Sequence, residues 1–158
     1  MTRQKWCIVQ QENVNNAILF YGGNVSKRPR IVICSIEEIG NVLGKYDEMT
    51  DTLYLIPQIG DKKSVRVLDT LDTNIEFGYT EAHEIWHWMR TQIYGRPIDD
   101  ITEYNRWLNK KAKNRVAKLG INEYNVKNIS GYAFDNYIAE KYYEVEAEYM
   151  SMLFVKRK

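Results

Sequence analysis

Both histidines of the chain lie in one short stretch, TEAHEIWHW, at residues 80–88. His83 and His87 stand four residues apart, and Glu84 directly follows the first. On a helix, positions i and i+4 are neighbours on one face, so the two imidazoles can be aimed at one point. Zinc takes such nitrogen ligands and keeps a position for water. Glu84 is turned by about 100° from His83. Its carboxylate then lies beside the metal, able to accept a proton from the bound water without being a ligand. That is the mechanical content of an H-E-x-x-H helix. The competing reading is two partly exposed histidines on a helix flank. The zinc reading is preferred because the motif uses every histidine of the chain and lies within a helical pattern. Trp86, Trp88 and Met89 read as core packing rather than substrate contacts.

A zinc site of this kind needs a third protein ligand and an open position. No third histidine follows, and Cys7 and Cys34 lie far upstream in segments without metal-type spacing. The ligand is therefore expected to be a carboxylate. The segment YYEVEAEYM offers Glu144, Glu146 and Glu148, with Glu140 just before it; such a run is otherwise a solvated face. On a helical wheel with Glu144 at zero, Glu148 falls at about 40° and Tyr137 at about 20°. The apolar stripe of Ile138, Tyr142, Val145, Tyr149 and Met152 spans roughly 80° to 160°, and Glu146 falls at about 200°. Glu144 and Glu148 share one border of the expected buried face. Glu144 can then bind the metal while Glu148, one turn on, holds the other ring nitrogen of a ligand histidine.

These side chains need helices to carry them and a sheet to support them. NNAILFYGGNV (15–25) reads as a short helix ended by Gly22 and Gly23. RIVICSI (30–36) reads as a buried strand. TLYLIPQI (52–59) reads as a second strand, with Pro57 pushing its end toward a sheet edge. The segment between these strands is turn-rich and polar. From about residue 67 onward the pattern is helical. The first of these helices holds both histidines and ends at Gly95. A second spans 97–120, a loop covers 121–132, and a last helix runs over 133–158. Strands first and helices after them predict an α+β fold.

Composition narrows the class. The chain has 158 residues, with 22 Lys and Arg against 21 Asp and Glu, and a formal net charge of +1. That length fits one domain with a true core, and neither repeats nor low-complexity linkers divide it. The charge balance predicts no nucleic-acid footprint, and the basic ends KRPR and VKRK read as solvated surface. The N-terminus has no apolar signal-peptide core, and no apolar run reaches membrane-spanning length. A cytoplasmic protein is the expectation, and the oligomeric state is not legible.

HEIWH followed about sixty residues later by EVEAE resembles a gluzincin. The closer likeness is to the lethal-factor-like zincins, a group that includes the Pro-Pro endopeptidases and small metallopeptidase domains of phages and Gram-positive mobile elements. They pair H-E-x-x-H with a loop of the type S-x-Y-A/G and a helix of the type E-x-x-A-E. ISGYA (129–133) and EVEAE (144–148) match these, and GKYDEMTDTLYLIP (44–57) looks like their edge-strand segment. Trp86 departs from the small residue usual there. The resemblance spans roughly residues 78–154. It implies a minimal zincin fold: a small N-terminal mixed sheet, an active-site helix and a C-terminal helical half, in one domain over 1–158. It implies Zn2+ held by His83, His87 and Glu144, Glu84 as general base, and Glu148 as supporting acid. It also implies Tyr132 as the phenol that meets the oxyanion. Tyr137 stands at the more usual distance from the ligand helix and remains the alternative. A fainter likeness of the same run to phage-repressor-cleaving zincins would favour Glu146 as third ligand.

The implied reaction is zinc-dependent hydrolysis of peptide bonds in a peptide or protein substrate, with no nucleic-acid or membrane partner. An edge strand near 52–57 would align the substrate by strand addition. The alternative is a catalytically silent zincin scaffold, acting as a phage structural or host-directed binding protein. An intact Glu84 argues against it, because a retired site has no need of the base.

Overall fold

An 18-residue helix, α1 (Arg3–Phe20), opens the computed structural model, which describes residues 3–35, 37–40, 42–56, 78–97 and 99–157, without the side chains of 3–7. The helix expected at 15–25 is thus only the end of a longer one, and a helix rather than a strand comes first. Its stop is as expected. Gly22 has φ of 83°, and Gly23 N–H returns to Ile18 C=O at 2.8 Å. This is the left-handed closure that glycine permits.

Three strands follow: β1 (Arg30–Ile33), β2 (Gly44–Asp47) and β3 (Thr52–Leu55). The sheet order is β1-β3-β2, with β1 parallel and β2 antiparallel to β3. Two expectations change here. The segment read as turn-rich contains β2. The strand expected near an edge is the central one, and Pro57 lies outside the described residues. The alternation of β3 explains its place: Leu53 and Leu55 are fully buried toward the helices, while Tyr54 packs on the other face with Cys34, Leu43 and Ile56. A strand apolar on both faces belongs inside a sheet. The Cys34 thiol is buried and donates to Leu55 C=O at 3.7 Å.

Four helices complete the described chain: α2 (Tyr79–Tyr94), α3 (Ile101–Lys118), α4 (Gly131–Ile138) and α5 (Tyr142–Val155). Together with the mixed sheet they make an α+β fold. The part of the helical expectation that falls on 67–77 lies outside the described residues. Asp100 caps α3, its carboxylate accepting from Thr102 N–H at 2.9 Å and Glu103 N–H at 3.2 Å, so that helix starts after Pro97.

The last helix expected from the sequence is two. Lys141 N–H bonds Asn136 C=O at 2.8 Å, Glu140 N–H bonds Tyr137 C=O at 3.1 Å, and Glu140 has φ of 60°. This is a left-handed helix stop made without glycine, at a cost of about 1–2 kcal/mol. The single-stripe reading fails with it: Ile138 is 60% exposed, and Tyr137 is not on the same helix as Glu144. Helix α5 packs against α2, α3 and α4. It therefore buries Val145, Glu146, Ala147 and Glu148 in succession, which one stripe cannot describe.

One core lies between the sheet, α1, α2 and the end of α5, around Ile18, Leu53, Leu55, Ile85, Trp88 and Phe154. A second lies among α3, α4 and α5, around Val116, Val126, Ala133 and Val145. Between them, β2 runs close against the first turns of α2. A Cβ at Gly44 would stand 3.0 Å from Thr80 Cγ2 and 3.4 Å from Glu84 Cγ. Glycine is what lets this strand approach the helix that carries the histidines.

Candidate metal centre

Helix α2 carries His83 and His87 on adjacent turns, and their Nε2 atoms stand 3.1 Å apart. From α5, the two oxygens of Glu144 reach one histidine each: Oε2 is 3.0 Å from His83 Nε2 and Oε1 is 3.0 Å from His87 Nε2. Zinc with ligand bonds of about 2.0–2.1 Å has ligand-to-ligand edges of about 3.3 Å. Two imidazole nitrogens and a carboxylate at 3.0–3.1 Å from one another fit that donor set.

Behind His83, its Nδ1 faces Glu148 Oε2 at 2.7 Å. The other oxygen of Glu148 accepts from Ser130 Oγ at 2.6 Å, and Ser130 Oγ accepts from Ala133 N–H at 2.9 Å. A carboxylate on Nδ1–H holds the ring and turns the Nε2 lone pair toward the centre. Ser130 does two things here, capping α4 and anchoring Glu148.

Behind His87, the arrangement is of another kind. Arg90, only 1% exposed, directs Nη2 to His87 Nδ1 and donates to Tyr143 C=O at 3.1 Å. A guanidinium only donates. The contact therefore places a cation, not a carboxylate, against His87 Nδ1.

Glu84 sits beside the three donors. Its Oε2 accepts from Tyr46 N–H of β2 at 2.9 Å, and its Oε1 is 3.9 Å from His83 Nε2. Burial, with a smaller push from Glu144, raises its carboxyl to about 7 against the pull of His83. Burial also lowers His87 to about 4, helped by Arg90 and opposed by Glu144. For His83, burial works against the charged form, but Glu144 and Glu148 outweigh it and raise the imidazole well above its usual range. Glu144 is likewise pushed up by burial and pulled down further by the two imidazoles, ending well below the usual carboxylate range.

The remaining expected residues divide. Tyr132 donates its phenol to Glu144 Oε2 at 3.0 Å, and its ring centroid lies 5.9 Å from that of His83. Tyr137 instead packs on Tyr142 at 5.6 Å in the second core. Glu146, 2% exposed, is engaged elsewhere: Arg115 binds it with Nη2 at 2.9 Å from Oε1 and Nε on Oε2, and Trp86 Nε1 donates to it at 3.0 Å. Trp86 also packs its ring on Tyr21 at 5.0 Å, so it is a packing residue.

The centre opens into a cleft of about 410 Å³, lined on one side by Gly44, Lys45 and Tyr46 and on the other by Tyr132, Tyr143 and Glu144. Sequence reasoning missed Arg90, Tyr143 and the main chain of Tyr46. The i+3 spacing of Arg90 from His87 was a usable signal. The spacing of Tyr46, in another element, was not.

Comparison with protein-family models, with curated proteins and with solved structures returns no match for this chain. No helix among the described residues is long and apolar enough to cross a membrane.

Proposed function

We propose that this chain is a zinc-dependent metallopeptidase. The observation that carries the reading is the convergence of His83 Nε2, His87 Nε2 and Glu144 at 3.0–3.1 Å beside Glu84, in a cleft bordered by an edge strand. Zinc bound by these three residues supplies Lewis acidity toward a carbonyl and a water of lowered pKa.

Glu84 is suited to accept the proton of that water and to return it to the leaving amine. The Tyr46 N–H keeps one of its oxygens fixed and leaves the other near the donors. Tyr132 is suited to meet the developing oxyanion, since its phenol already reaches the oxygen of a ligand carboxylate. The substrate would lie along β2, not along 52–57, because β3 is covered on both edges. Leu43 C=O accepts from Ile56 N–H at 3.4 Å, so residues 43, 45 and 47 turn toward β3. By alternation, the N–H and C=O of Gly44 turn to the open edge, where an extended peptide can pair.

The test is metal analysis of the purified chain before and after a chelator, coupled to digestion of a peptide library. About one zinc per chain and cleavage that is lost on chelation and in Glu84→Gln, with zinc retained in that variant, support the reading. Absence of zinc binding overturns it. Zinc binding with no cleavage of any library favours the silent scaffold.

A further inference from the structure

Glu144 is the one donor of the centre that does not come from α2, so its position depends on where α5 begins and in what phase. The helical pattern over 133–155 holds neither Gly nor Pro and would run on without a break. A helix continued through 139–141 would carry Glu144 away on a different axis. Helix α5 instead starts afresh after the left-handed Glu140, and its N-cap residue, Lys141, offers no side-chain acceptor to the first turn. The opening N–H groups of a helix need such an acceptor.

It comes from another helix. Asn109, on α3, accepts from Tyr142 N–H at 2.7 Å and from Tyr143 N–H at 3.3 Å through Oδ1, and donates from Nδ2 to Glu140 C=O at 2.7 Å. One amide thus serves the carbonyl of the left-handed residue and the first two amides of the new helix. The next residue is Glu144. Its neighbour Tyr143 is held at the carbonyl by Arg90 of α2 at 3.1 Å. The main chain leading to Glu144 is therefore gripped from α3 on its N–H side and from α2 on its C=O side.

We propose that Asn109 is the positioning residue for Glu144: it acts as an N-cap supplied by a different helix, holds the corner between α4 and α5, and so sets the third ligand against the histidines. The role rests on the metal reading above. The corner itself can be read without metal.

The experiment uses the full chain with zinc alone as probe. Zinc affinity is measured by competition with a chelator at fixed pH, and amide hydrogen exchange is followed at Tyr142 and Tyr143. Asn109→Ala should speed exchange at both amides about tenfold or more and weaken zinc about tenfold. Asn109→Asp keeps the acceptor for the Tyr142 and Tyr143 N–H groups but loses the donor to Glu140 C=O, and should lose less than Asn109→Ala in both readouts. Val116→Ala, in the core between α3 and α5, should lower Tm and leave zinc affinity unchanged. If Asn109→Ala does not fold, Glu140→Gly, which removes the left-handed penalty, is added to it and the pair is compared with Glu140→Gly alone. Parent-like zinc affinity in the alanine variant overturns the proposal, and so does an equal loss in Val116→Ala. If the parent chain binds no zinc, it is the metal reading that fails, and the ligand-positioning role goes with it. Unchanged exchange at Tyr142 and Tyr143 overturns the corner in either case.

Discussion

Glu148 holds His83 from behind: its Oε2 lies 2.7 Å from Nδ1, while its Oε1 takes the Ser130 hydroxyl at 2.6 Å. The carboxylate thereby ties α2 to the start of α4. Removing it frees the imidazole to rotate and to change tautomer. Glu148→Ala should weaken zinc about 10–100-fold, and Ser130→Ala by less, with about 1 kcal/mol of stability lost with the cap. Isothermal titration with zinc measures both. Unaltered affinity in Glu148→Ala would show that the tie does not orient the ligand.

Glu144 and Glu146 should separate cleanly. Glu144→Ala removes a donor to the centre and should abolish tight zinc binding while the metal-free chain still folds. Glu146→Ala leaves Arg115 and Trp86 Nε1 without their acceptor and should cost about 1–3 kcal/mol in denaturant unfolding. Arg115 is about a third exposed, which keeps this below the figure for a fully buried pair. Its zinc affinity should be nearly that of the parent. The reverse pattern, with zinc lost in Glu146→Ala, defeats the ligand assignment.

The two tyrosines make a similar contrast. Tyr132 reaches the Glu144 carboxylate, whereas Tyr137 is packed on Tyr142. Tyr132→Phe should keep zinc and lower kcat about 10²–10³-fold with little change in KM. Tyr137→Phe should leave kcat within about twofold. The comparison is made on whichever peptide the library digest supplies, and equal kinetic losses in both variants would remove Tyr132 from the reaction.

Glu81 lies on the far side of α2, fully buried near Gln10 and Asn13 of α1, and burial raises its carboxyl from 4.5 to about 7. The folded state holds the proton that the unfolded chain gives up. The stability linked to that proton is complete below about pH 4.5 and is lost as pH rises through 7. Across that interval the loss is about 3 kcal/mol. Glu81→Gln has no charge to bury. In urea unfolding it should match the parent near pH 4.5 and exceed it by about that amount at pH 8. A difference between the two that does not change with pH would show that Glu81 is not held neutral.

Spacing within one helix was enough to read the pairs His83 with His87 and Glu144 with Glu148, because i and i+4 meet on a helix whatever surrounds it. Helical rotation likewise located Glu84 beside the donors, the left-handed cap open to glycine located the stop of α1, and the succession of strand and helix patterns pointed to the α+β class. What lay beyond the sequence depends on groups brought together from separate elements. The break at Glu140 carries no glycine or proline, and it is stabilised by Asn109, some thirty residues earlier. Glu146 stands in the same acidic run as Glu144, but Arg115, on a different helix, holds it. Among the described residues the sheet edge beside the centre belongs to β2 because β3 is paired on both sides, a fact of sheet order. Periodicity records which face of an element is apolar. It carries no record of which distant side chain will meet a given donor or carbonyl, and only the packed structure decides that.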